Sequence, residues 1–166
     1  MTRRPLIVFV CTGNTCRSPM AEIAFARRLK ENGLAWRCAS AGVHAVAGLP
    51  ASSEAVRALA ARGLDGSAHR SRPLTPELVD AAAMIVVMTH AHRAIVQRRH
   101  PEAADRVFVL RDFDSRARGE DVEDPMGGTS GEYDRILDRI EAAFPELILA
   151  LHEFGKADRL RGKEQP

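Results

Sequence analysis

Apolar positions along the chain fall into short unbroken runs separated by longer amphipathic stretches. Residues 6–10, 84–88 and 107–110 are continuous apolar runs rich in β-branched side chains, the pattern of strands buried on both faces. Trp36-Arg37-Cys38-Ala39 reads as a short second strand that ends at Ser40-Ala41-Gly42. Between these runs the apolar residues recur at helical spacing. One stripe is Ala21, Ala24, Phe25 and Leu29; a second is Val56, Leu59 and Ala60; a third is Ala91, Ala94 and Ile95. Asn32-Gly33 and Gly63 read as helix stops, and Ser52, Thr75 and Thr89 as helix caps. Thr129 to Glu132 reads as a capping box opening the last helix. There Ile136, Ile140, Phe144, Leu147 and Leu151 keep one phase, which predicts a single helix kinked at Pro145 and ended by Gly155. Four strands alternating with helices predict an α/β fold of three layers, a four-stranded parallel sheet with helices on both faces. The pattern assigns one domain to residues 1–155 and a flexible, solvated tail to 156–166.

Composition narrows the class. The 166 residues are 45% apolar and 28% charged with a net charge of +2, ordinary for a globular domain. Scattered basic residues give no reason to expect nucleic acid, and no apolar run reaches membrane-spanning length. No secretory leader pattern is present, and three cysteines without framework spacing point to a reducing, cytoplasmic setting. The histidines His90, His92 and His100 cluster around one helix start, too few to predict a metal site; no metal and no cofactor is expected, and a monomer is.

The chemistry concentrates in Cys11-Thr12-Gly13-Asn14-Thr15-Cys16-Arg17-Ser18, between the first strand and a helix whose first turn holds Pro19. Such a loop gathers backbone N–H groups into one concavity, and the helix dipole adds partial positive charge: an anion cradle. The helix terminus and Arg17 favour the thiolate of Cys11, a nucleophile suited to phosphorus. The Arg17 fork matches two phosphoryl oxygens, Gly13 allows close approach of backbone, and Ser18 can donate to the departing sulfur. Proton delivery to a leaving group needs an acid; Asp124 is the candidate, with Asp112, Asp114, Asp121 and Asp134 as competitors. Cys16 reads either as a resolving thiol for Cys11 or as a small packing residue. Cys38 reads as core, and His44 and His69 as loop residues.

These residues also carry a resemblance over nearly the whole chain to the low-molecular-weight phosphotyrosine protein phosphatases. Its matching segments are residues 10–22, Ser40-Ala41-Gly42 and Asp124-Pro125. The resemblance implies Cys11 as nucleophile, Arg17 as phosphate clamp and Asp124 as general acid. It further implies that Asn14, Ser18, Ser40 and His69 hold the loop, and it favours a redox role for Cys16. Thr15, in place of the usual isoleucine, and Met88-Thr89-His90 and Gly127-Gly128 resemble the bacterial protein arginine phosphatases; Met126 departs from that subgroup's phenylalanine. The expected substrate is therefore protein phosphoarginine, with phosphotyrosine as the alternative. Arsenate reduction would need relay cysteines, and none follows Cys38. A non-catalytic phosphate-binding module is disfavoured by the intact Cys11, Arg17 and Asp124.

Overall fold

The computed structural model describes residues 4–161. Four parallel strands, β1 (Leu6–Cys11), β2 (Arg37–Gly42), β3 (Met84–Val87) and β4 (Val107–Val109), form one sheet in the order β2-β1-β3-β4. Every residue of β1 and β3 is buried, as their unbroken apolar runs require. The odd positions Ile7 and Phe9 join one core with α1 (Arg17–Glu31), α2 (Ser53–Ala60), α5 (Ser130–Ala142) and α6 (Phe144–Arg161). The even positions Val8 and Val10 join a second core with Val79 of α3 (Pro76–Ala81) and Val96 of α4 (His90–Arg99). Phe25 of α1 ties the first core together, edge-to-face with Phe9 at 5.4 Å and with Phe144 at 4.9 Å.

The chain leaves β1 toward β2 on one side, then crosses back to β3 on the other. The reversal opens a crevice beyond the carboxyl ends of β1 and β3, where ligands bind in open parallel sheets. Cys11 is the last residue of β1. Val122 reaches the same place: its N–H donates to the Met88 carbonyl at 2.9 Å, docking the long loop after β4 onto the end of β3.

Caps are observed at Ser52, Thr75, Thr89 and Thr129, the last a complete capping box with Glu132. Three expectations need correction. The last helix is two helices, not one kinked helix: Pro145 has no N–H and its ring opposes the preceding turn, so the chain breaks between Ala142 and Phe144 although the apolar stripe keeps its phase. Gly155 is not a stop, because it does not take the left-handed conformation of a helix terminus, and α6 continues to Arg161. Residues 156–161 of the expected tail are thus helical, and 162–166 lie outside the described residues. Ser40 lies within β2 rather than after it, since β2 pairs with β1 as far as Gly42.

Candidate active site

The cradle is built around an uncapped helix. Four helices carry a Ser or Thr cap, but α1 begins at Cys16 with no side-chain cap and no acidic residue in its first turn. The N–H groups that open α1 are therefore left for a ligand, with the helix dipole behind them.

Left-handed backbone falls on Asn14, at φ 57°, and not on Gly13. Asn14 is fully buried and bonded at every polar group of its side chain. Its Nδ2 donates to Ser18 Oγ at 2.8 Å and to Ser40 Oγ at 2.9 Å, while its Oδ1 accepts from the backbone N–H of Arg72 at 2.9 Å. His69 Nε2 donates to its carbonyl at 2.7 Å. Ser40 in turn donates to the Glu22 carboxylate. Behind the loop Gly42 is obligatory: a Cβ there would collide with the Thr12 carbonyl. The N–H groups of Val43 and His44 continue the pairing by donating to the carbonyls of Cys11 and Thr12.

Inside this frame Cys11 Sγ lies 2.9 Å from Ser18 Oγ. Arg17 is 5% exposed, its guanidinium anchored on the Val122 carbonyl at 3.0 Å and turned toward Asp124 Oδ2 at 3.4 Å. Asp124 is open to solvent, in a turn where its Oδ1 accepts from the N–H of Met126. The competing aspartates are engaged elsewhere: Asp112 accepts from Gly119 N–H, Asp114 pairs with Arg111 and Arg116, Asp121 with His90, and Asp134 with Arg57 and Arg62. Thus a thiol, a hydroxyl, a clamped cation and an exposed carboxyl group come together at the start of α1. That set can bind a tetrahedral oxyanion and transfer its central atom to sulfur.

Thr15 is half-buried at the loop wall, and its carbonyl accepts from Ser52 N–H. Cys16 Sγ turns away from solvent, 3.4 Å from Ser52 Oγ, to which it donates, and 3.4 Å from Tyr133 Oη. Burial pushes the Tyr133 hydroxyl up to about 12. Tyr133 therefore underpins the cradle, a position its place on the apolar stripe of α5 concealed. Arg72, Glu22, Ser52 and His92 also belong to the frame and were not foreseen as such. His92 Nε2 lies 2.8 Å from Thr12 Oγ1. Its position just after β3, on the ligand edge of the sheet, was the available signal. Cys38 lies apart from the site, its thiol pushed well up by desolvation and then by Glu22. Among the described residues no group of three or more His, Cys, Asp or Glu could hold a metal ion, and no helix is long and apolar enough to cross a membrane.

Residues 6–157 match the family model for low molecular weight phosphotyrosine protein phosphatase. A protein-arginine-phosphatase of Bacillus subtilis is 40% identical over 153 residues, 92% of this chain and 98% of the relative. A low molecular weight protein-tyrosine phosphatase A of Mycobacterium tuberculosis is 39% identical over 146 residues, 85% of this chain and 88% of the relative. Among solved structures, a mutant of the YwlE arginine phosphatase, its cysteine changed to serine and its active-site serine phosphorylated, superposes with a TM-score of 0.83. It is 37% identical, covering 93% of this chain and 99% of that one.

The frame has a measurable pH signature. Desolvation, and then the Arg17 cation, lower the His92 pKa from 6.5 to about 4. Between those values the unfolded chain binds the proton and the folded one does not. The contribution of His92 to stability is therefore complete above pH 6.5, falls as the pH drops toward 4 and levels off below. The difference corresponds to about 3 kcal/mol. Urea unfolding across this range is expected to show wild type losing that much more stability than His92→Gln; parallel profiles would contradict it.

Proposed function

The chain belongs to the low molecular weight phosphotyrosine protein phosphatase family, and on that premise we propose that Cys11 takes the phosphoryl group from protein phosphoarginine. It is a cysteine-nucleophile protein phosphatase, and its substrates are phosphorylated proteins.

In the first step the phosphoryl oxygens sit among the N–H groups of residues 12–18, and the Arg17 fork holds two of them. Cys11 Sγ attacks phosphorus in line, the P–N bond breaks, and the Asp124 carboxyl group gives its proton to the departing guanidine nitrogen. In the second step water attacks the phosphocysteine and Asp124 takes its proton. The S–P bond breaks, phosphate leaves, and Ser18, oriented by the Asn14 amide, donates to the released sulfur. The observation that carries this reading is the convergence of Cys11, Ser18, Arg17 and Asp124 on the uncapped start of α1. The relative whose substituted active-site serine carries phosphate supports covalent transfer at such a position. Ser40 and His69 are supports of the loop, through Asn14. The reducing, cytoplasmic setting and the monomeric state belong to the proposal on the cysteine content and the self-contained site.

Substrate preference rests on the rim. Neither the loop of residues 43–51 nor the segment 125–132 holds an aromatic residue, and Tyr133 lies beneath the cradle instead of on its wall. A phenyl ring gains affinity by burial against such walls, at roughly 25 cal/mol per Å². Met126, 68% exposed, is a large apolar side chain two residues from Asp124. A guanidinium instead needs acceptors, which the Thr15 hydroxyl and the Asp124 carboxylate supply. The names of relatives alone do not separate the substrates, since arginine and tyrosine phosphatases stand at 40% and 39% identity. Thr15→Ile is expected to lower kcat/KM on phosphoarginine peptides by ~10-fold or more and to spare or raise it on phosphotyrosine peptides. An unchanged ratio, or a wild type that prefers phosphotyrosine, transfers the assignment to phosphotyrosine.

Cys16 is proposed as the resolving thiol. Peroxide converts Cys11 to a sulfenic acid; Cys16 attacks that sulfur, water leaves, and a Cys11–Cys16 disulfide stores the oxidation. Cys16 must first leave Ser52 and Tyr133. Peroxide treatment is expected to give reversible loss of activity and a mapped Cys11–Cys16 peptide. Irreversible loss with only sulfinic or sulfonic Cys11 would exclude the role.

A further inference from the structure

We propose that His92 is a positioning residue of the phosphoryl site: it fixes the Thr12 side chain so that the threonine hydroxyl proton faces the bound phosphoryl group. The inference rests on the reading of the Cys11 loop as the phosphoryl site. His92 is the third residue of α4, 80 positions from Thr12 in sequence, and only 4% exposed. Thr12, by contrast, is an exposed residue immediately after Cys11. An exposed hydroxyl needs no protein partner, because water satisfies it. A buried imbedded imidazole spent on it serves orientation. The Thr12 backbone is pinned on its other side, its carbonyl accepting from His44 N–H. Backbone and side chain of the first cradle residue are thus both held from outside the loop.

The hydrogen bond has a defined direction. Nδ1 of His92 is buried and has no hydrogen-bond partner. A buried lone pair without a partner is better tolerated than a buried N–H without one. The proton therefore resides on Nε2, which donates to Thr12 Oγ1. The threonine keeps its own proton to give, and its place beside Cys11 turns that proton to the mouth of the cradle. The imidazole is neutral throughout the working range, its pKa lowered to about 4 by desolvation and by Arg17 and His44 against the opposing Asp121 and Asp124. It acts as a fixed donor, not as an acid.

Two measurements test this. Imidazole ¹⁵N NMR of wild type at pH 7 is expected to show His92 protonated at Nε2 and bare at Nδ1. The opposite tautomer overturns the proposal, and this readout needs no variant to fold. A double-mutant cycle with p-nitrophenyl phosphate is the second. Thr12→Val and His92→Leu are each expected to lower kcat/KM by about ten-fold, the scale of one hydrogen bond to a charged group. The double variant should be no worse than Thr12→Val alone, and His92→Gln, with an amide N–H in reach, should recover most of the loss. Losses that add, or a His92→Leu enzyme with wild-type kcat/KM, overturn the inference while an active wild type leaves the phosphoryl-site reading standing. An inactive wild type overturns both.

Discussion

One residue in an unfavourable conformation organises the active site. Asn14 holds left-handed backbone at φ 57° in the middle of the loop, a conformation that costs a non-glycine residue of order 1–3 kcal/mol. Its side chain and carbonyl are bonded to three segments: Ser18 in α1, Ser40 in β2, and Arg72 and His69 in the loop before α3. Several bonds at about 0.5–1.5 kcal/mol each offset the strain. The cradle is therefore shaped before any anion arrives, and no reorganisation is left for the moment of reaction. The same amide that holds the loop also orients Ser18 toward Cys11, so shape and chemistry share a support.

Asp124, the proposed proton donor, is tied to this frame through the sheet. Val122 bonds the end of β3 through its N–H and Arg17 through its carbonyl, and Asp124 follows two residues later. One short stretch of an otherwise irregular loop thus sets the distance between clamp and acid. Cys11 at the end of β1 and Met88 at the end of β3 flank the crevice that the sheet order creates.

The fold was legible because β1, β3 and β4 are unbroken apolar runs and α2 to α5 open with capping residues, local signals that the structure keeps. Chain breaks were less legible. The stripe through Pro145 measured burial, which two helices share as easily as one, and Gly155 could end a helix but does not where its backbone stays right-handed. Of the proposed site, Cys11, Arg17, Ser18 and Asp124 were named from loop chemistry and resemblance, and the fold brings them together at the start of α1. Glycine drew attention to position 13, while the strain sits on Asn14, whose amide is satisfied by Ser18 nearby and by Ser40 and Arg72 remote in sequence. Tyr133 and His92 were hidden for the same reason: one reads as core and the other as a helix-start histidine until the fold brings them to Cys16 and Thr12.

Passage of the phosphoryl group through Cys11 of the preformed cradle is open to direct test. Rapid mixing of wild type with a phosphoarginine peptide, quenching within one turnover and mapping the modified peptide tests it most directly. A phosphate adduct is expected on Cys11, absent in Cys11→Ala, that decays as free phosphate appears. Release of phosphate from wild type with no adduct on Cys11, or with the adduct on another residue, would contradict it.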